Sequence, residues 1–223
     1  MQVENPPSSS PNIESSSPLK REIVLIGKNS LVYVLGRALT HAVGFFMIPV
    51  YTRYILPSNY GAMELIEIMS SVVIMIISLG VADSMPRYYY GEKSEKKRNE
   101  IVSTIIIGFG LLAIPVVAAF LVFSGYLSYL IMDEPQYRYF LQVAIITVWF
   151  TMLSEVAFSY LRMLYMAKLF VIVTTLQLIA ALSLNIWFVV FMKLDILGIF
   201  YSTLITQGIT GALLSGIILK KVG

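Results

Sequence analysis

Six long apolar runs, separated by short polar breaks, set the pattern of the chain. They fall at about 26–50, 62–85, 101–123, 139–161, 169–192 and 196–219. Each is rich in Ile, Leu, Val, Phe and Met and is far longer than a strand, so each predicts a helix. About 20 residues cross the hydrocarbon of a bilayer, and every run reaches that length. The pattern predicts an all-α, polytopic membrane bundle of six transmembrane helices. Pro49, at the end of the first run, and Pro115, in the third, predict a local bend or stop. Residues 1–21 carry no such run. Their MQVENPPSSSPNIESSSP stretch is Pro-, Ser- and Asn-rich, which predicts a disordered tail without a secretory leader. That leaves 22–221 as the six-helix unit.

Polar residues inside the runs recur at three- and four-residue steps, which places them on one helical face. The first run carries Ser30, Tyr33, Arg37, His41 and Gly44, and the second Glu64, Glu67, Ser71 and Ser78. The fourth has Thr147, Thr151, Ser154, Glu155, Ser159 and Arg162. The fifth has Thr174, Gln177, Ala181 and Asn185, and the sixth Thr203, Gln207, Gly211 and Ser215. Lipid cannot satisfy such groups, so these faces turn inward or toward a wet cavity. Hydroxyl stripes also serve as helix-packing surfaces, and Gly208, Ala212 and Gly216 form a small-xxx-small series that predicts close packing. Arg37 lies about 13 Å deeper than Lys28 by helical rise, and Glu155 about 10 Å deeper than Arg162. Two opposite charges at one depth predict either an Arg37–Glu155 pair or a shared wet cavity. Glu64 and Glu67 lie near the end of their run, where an interfacial position accounts for them as well as a cavity does.

Composition agrees with the pattern. The chain is 57% hydrophobic and 13% charged, where a soluble domain carries about a quarter charged residues. Its mean hydropathy is +0.79. The net charge of +3 does not read as a nucleic-acid interface, because the cations are sorted by membrane side. Twelve fall on one side: Lys20, Arg21, Lys28, Arg87, Lys93, Lys96, Lys97, Arg98, Arg162, Lys168, Lys220 and Lys221. Three, Arg53, Arg138 and Lys193, fall on the other. The positive-inside rule then puts both termini in the cytoplasm. There is one histidine and no cysteine, and neither H-E-x-x-H nor G-x-S-x-G occurs. No catalytic residue, metal site or cofactor is therefore expected, and an enzyme is not the expected reading.

Two blocks carry a family likeness. The first is Pro49, Tyr51, Thr52, Arg53, Tyr54, Pro57, Tyr60 and Gly61 after the first run. The second is Ser78, Leu79, Gly80, Arg87, Tyr88 and Tyr89 around the end of the second, with Ser103 and Thr104 opening the third. In these blocks the chain resembles the polysaccharide-biosynthesis, Wzx-type oligosaccharide flippases of the multidrug/oligosaccharidyl-lipid/polysaccharide superfamily, over about 22–221. The resemblance implies one lobe of a MATE-like flippase fold. It also implies translocation of a polyprenyl-diphosphate-linked oligosaccharide across the cell (inner) membrane, for surface polysaccharide such as lipopolysaccharide O-antigen. Such flippases have two lobes, so the likeness implies a missing C-terminal lobe or a homodimer partner beside membrane lipid. Arg37 and His41 are the implied diphosphate donors, since arginine's planar fork suits phosphate. Glu155, Glu64 and Glu67 are the implied coupling or cavity carboxylates. Pro49, Arg53, Pro57, Tyr60, Gly61 and Arg87 are implied to be structural. The block from Pro49 to Gly61 reads as a turn fixing how the first two helices meet, with Pro57 setting the turn and Gly61 allowing close approach. The rival readings are a cation-coupled drug exporter of the same superfamily, which would carry an acid where the first helix has Arg37, and a non-transporting structural half-protein.

Overall fold

The structure, a computed structural model, describes residue 45 and residues 47–78 and 81–222. The tail and most of the first predicted span, with Arg37 and His41, lie outside them, as do Leu79 and Gly80. Among the described residues the regular elements are all helical, with no strand. Helical residues 47–54 are α1. They are followed by α2 (Pro57–Ser78), α3 (Val81–Gly91) and α4 (Glu95–Met132). A short 3-10 turn, Pro135–Tyr137, leads into α5 (Arg138–Met163). Then come α6 (Ala167–Ile186), which continues as a π turn over Trp187–Phe191, and α7 (Ile196–Val222). Five of these, α2 and α4 to α7, are long and apolar enough to cross a membrane, which makes this an integral membrane protein.

The boundaries differ from the apolar pattern where polar residues extend a helix. The stretch GEKSEKKRNE is not a loop. Only Glu92 to Ser94 are non-helical, and α4 begins at Glu95 and runs 38 residues, about 57 Å. Glu, Lys and Arg are good helix formers, so α4 carries on into water beyond its apolar part. Pro115 does not end α4, and Pro49 lies within α1 rather than closing it. The predicted run 62–85 falls within α2 and α3, with Leu79 and Gly80 between them outside the described residues. α2 starts at Pro57, a first-turn position where the missing N–H costs nothing. α3 is short and polar.

α5 is the central helix. It packs most extensively on α7 and α4, and also on α2, α3 and α6. In its most apolar stretch 56% of residues are buried, against 11% in α6, so α5 forms the core and α6 the periphery. Leu141, Ile145, Val156 and Ala157 of α5 meet Ile66 and Val73 of α2, Val102 and Ala113 of α4, and Ile196 of α7 in one apolar cluster. The tightest approach is at Gly211 of α7. A Cβ there would sit 2.7 Å from the Phe150 carbonyl oxygen and 3.0 Å from Ser154 Oγ. Of the small-xxx-small series, Gly208 packs on the Phe150 ring at 3.9 Å, Ala212 is exposed, and a Cβ at Gly216 meets nothing within 4 Å among the described residues. The neighbouring face, with Gly211, is the one turned to α5.

Side chains tie the helix ends into two sets. At one end the Asn59 amide of α2 donates to Asp195 before α7, and Tyr137 Oη donates to Asn59 Oδ1 at 3.3 Å. Asn185 Nδ2 donates to Tyr51 Oη at 2.8 Å. At the other end Tyr90 of α3 donates to the Met163 carbonyl closing α5. Val222 shares a cleft with Glu95 and Lys96 opening α4. The spans therefore alternate in direction. Arg87, Lys93, Lys96, Lys97, Arg98, Arg162, Lys168, Lys220 and Lys221 gather at this second, basic end.

Candidate functional site

The polar stripes of α5, α6 and α7 meet in one groove of about 310 Å³. From α5 come Thr151, Ser154, Glu155 and Arg162, at steps of three, four and eleven residues from Thr151, one face of the helix. α6 contributes Thr174, Gln177 and Ala181, and α7 contributes Thr203, Thr206 and Gln207. Arg162 is in the last turn of α5, at the basic end. From there to Thr151 the helix rises about 16 Å, so the groove reaches from the basic end to the middle of the bundle.

Its chemistry is graded along that length. At the mouth, Arg162 Nη2 and Glu155 Oε2 are 3.8 Å apart, with 34% and 44% of the two side chains exposed. The pair is accessible and adjustable rather than locked in the core. Further in, the lining is neutral. Gln177 Nε2 donates to Gln207 Oε1 at 3.0 Å, joining α6 to α7. Ser154 Oγ donates to Phe150 O at 3.0 Å, with Gln207 O of α7 at 3.4 Å. Most hydroxyls are bonded within their own helix: Thr151 to Thr147 O, Thr174 to Phe170 O, Thr203 to Ile199 O and Thr206 to Ser202 O. Such back-bonding uses the proton and leaves the oxygen lone pairs as acceptors toward the groove. The helix-to-helix bonds in the groove come from Gln177 and Ser154 instead. The groove pairs an Arg162–Glu155 mouth with walls of hydroxyls and amides set among Phe158, Phe170 and Leu178, where an anionic group can compete for the arginine and hydroxyls find acceptors.

The carboxylates singled out from sequence are not brought together. Glu155 lines the groove, but its partner among the described residues is Arg162 on its own helix. Arg37 and His41 lie outside the described residues. Glu64 and Glu67 are both exposed on α2, Glu64 opposite the buried face of Ala62, Met63, Ile66 and Val73 and Glu67 at its flank, and neither lines the groove.

The motif from Pro49 to Gly61 forms the junction of α1 and α2, with a break at Ile55 and Leu56 only. Ile55 is buried and its N–H donates to Tyr51 O at 2.8 Å. Tyr60 packs on the core, while Arg53 is exposed. Gly61 does not serve close approach: a Cβ there meets nothing within 4 Å among the described residues. Arg87 is exposed on α3. The Asn59–Asp195–Tyr137 cluster was not legible beforehand, because its members come from three unrelated breaks.

At the basic end Glu92 organises the α3–α4 corner. Its Oε1 accepts the N–H groups of Lys93 at 2.9 Å and Ser94 at 3.2 Å, and Lys97 Nζ is 4.0 Å from Oε2. Those backbone bonds hold its carboxyl below the ordinary value. Arg98 Nε donates to Glu92 O at 2.7 Å, and its guanidinium lies over the Tyr89 ring at 5.3 Å. Burial against this corner raises the Tyr90 phenol.

A helical membrane unit with such a groove fits the family comparison. The family described as polysaccharide biosynthesis protein matches residues 26–222, nearly the whole chain, and the protein belongs to that family. No curated protein and no solved structure matches the sequence.

Proposed function

We propose that this chain takes part in translocating a polyprenyl-diphosphate-linked oligosaccharide across the cell (inner) membrane, and that it is a transporter unit rather than an enzyme. The observation that carries this reading is the groove between α5, α6 and α7, with Arg162 and Glu155 at its basic mouth and amides and hydroxyls beyond. A diphosphate carries several acceptor oxygens and competes with Glu155 for the Arg162 fork. Glycan hydroxyls then find acceptors at Thr151, Thr174 and Thr203 and amides at Gln177 and Gln207. That exchange would free the Glu155 carboxylate toward the groove. Arg37 and His41 retain the role of further donors from the first span, and a second lobe or second copy would supply the facing wall.

The family assignment supports a part in polysaccharide biosynthesis, and the positive-inside rule supports a cytoplasmic mouth. The test is a fluorescent lipid-linked oligosaccharide in proteoliposomes, with sidedness read by a membrane-impermeant quencher. The full chain should move label between leaflets. Arg162→Gln should slow this about tenfold, a loss of one charge-assisted bond, and Arg162→Lys should slow it less. Equal rates in protein-free vesicles and in all variants would overturn the reading.

A further inference from the structure

The polar groove has an apolar neighbour. Between α6 and α7 lies a second cavity of about 330 Å³, walled by Leu176, Ala180 and Leu184 on one side and Ile209, Leu213 and Ile217 on the other. Gln177 and Thr206 line both cavities. Their polar groups are engaged at the boundary. Gln177 donates to Gln207, and Thr206 Oγ1 donates to Ser202 O at 2.8 Å. The second cavity therefore presents mainly hydrocarbon walls, with Gln177, Thr206 and Thr210 as its polar lining. It opens outward, since Leu176, Leu213 and Ile217 are each about 60% exposed, and it lies on α6, the least buried span.

A polar groove and an apolar groove that meet across a shared pair of residues match an amphiphile, with its head on one side and its tail on the other. We propose that the α6–α7 cavity holds the first isoprene units of a polyprenyl tail, while the diphosphate and sugar of the same molecule occupy the α5–α6–α7 groove. This rests on the function proposed above and adds where the tail lies. Branched Leu and Ile side chains on both walls suit a methyl-branched chain. The adjoining polar groove ties the occupant to a lipid with a large hydrophilic head.

Photolabelling of the full chain in proteoliposomes tests this. One probe is a polyprenyl phosphate with a diazirine near its head, and the other is phosphatidylcholine with a diazirine in an acyl chain. Leu112 and Val122 of α4, 71% and 75% exposed, serve as reference positions facing lipid. The polyprenyl probe should label Leu176–Leu184 and Ile209–Ile217 about tenfold more, relative to those references, than the phospholipid probe does, the difference made by burying two methylenes. Unlabelled polyprenyl phosphate should compete at α6 and α7 only. Ala180→Trp and Leu213→Trp, both at exposed positions, should fill the cavity and remove the excess while α4 labelling persists. Equal labelling by both probes, absence of competition, or excess labelling unchanged in both Trp variants would overturn the proposal. Selective, competed labelling without glycan translocation would uphold the tail site and overturn the transport reading. Translocation without selective labelling would do the reverse.

Discussion

Gly211 and Gly216 show how much a single position depends on which face it occupies. They are five residues apart on α7, yet a Cβ at Gly211 would meet the Phe150 carbonyl at 2.7 Å and one at Gly216 would meet nothing within 4 Å among the described residues. A backbone oxygen cannot swing aside as a side chain can, so Gly211→Val should destabilise by about 1–3 kcal/mol. Gly216→Val should stay within about 0.5 kcal/mol of the parent. Thermal unfolding of the two variants in one detergent checks both, and equal losses would refute the packing described. At the α3–α4 corner, Glu92 accepts two backbone N–H bonds that hold its carboxyl below the ordinary value of 4.5. A group with a lowered folded-state pKa contributes stability above its unfolded pKa and loses it as pH falls through the folded one. Stability should therefore decline below about pH 4.5, and Glu92→Gln should flatten that decline. Unfolding midpoints measured from pH 6 down to pH 3, roughly the carboxylate range, give the comparison.

At the scale of elements, the apolar runs located α5, α6 and α7 to within a few residues, because hydrophobic length is what a bilayer selects. The same criterion missed the first turns of α4 and the polar end of α3 up to Gly91. Charged helix formers and a polar interfacial helix carry no apolar signal. The stripes of α5, α6 and α7 were readable as faces, and the groove they line was foreshadowed by Thr151, Glu155, Gln177 and Gln207. Their mutual register was not readable, since nothing local says that Gln177 faces Gln207; Arg37 of the expected Arg37–Glu155 pair lies outside the described residues. The cluster at the opposite end is of the same kind. Asn59 bonds Asp195 and Tyr137 at once, so it joins the starts of α2, α5 and α7. Asn59→Ala should cost about 1–3 kcal/mol by stranding a part-buried carboxylate. Asp195→Ala in that background should cost much less than it does alone, because the partners act together. Additive losses across the double-mutant cycle would show that the contact holds nothing.

The whole molecule is a set of antiparallel spans whose charge is polarised along the bundle axis. Tyr90 on Met163 and Val222 beside Glu95 gather the ends of α3, α5 and α7 and the start of α4 on one side. Asn59, Tyr137 and Asp195 gather the opposite ends. The described cations follow this division, with nine at the first end and only Arg53, Arg138 and Lys193 at the second. Moving that many charges through hydrocarbon during insertion is costly, so the basic end should remain in the cytoplasm. The groove mouth at Arg162 then faces the cytoplasm, the side from which the proposed function has substrate load. Ser94 lies in the non-helical break at the basic end, and Ser58 in the first turn of α2 at the other; both are exposed. The chain has no cysteine of its own, so Ser94→Cys and Ser58→Cys each introduce one reporter. In intact cells an impermeant thiol reagent should label the Ser58→Cys protein, and should reach the Ser94→Cys protein only after the membrane is opened. Labelling of both from outside would break the antiparallel arrangement. Labelling of Ser94→Cys alone would keep the fold but turn the groove outward, and with it reverse the direction in which a substrate could enter.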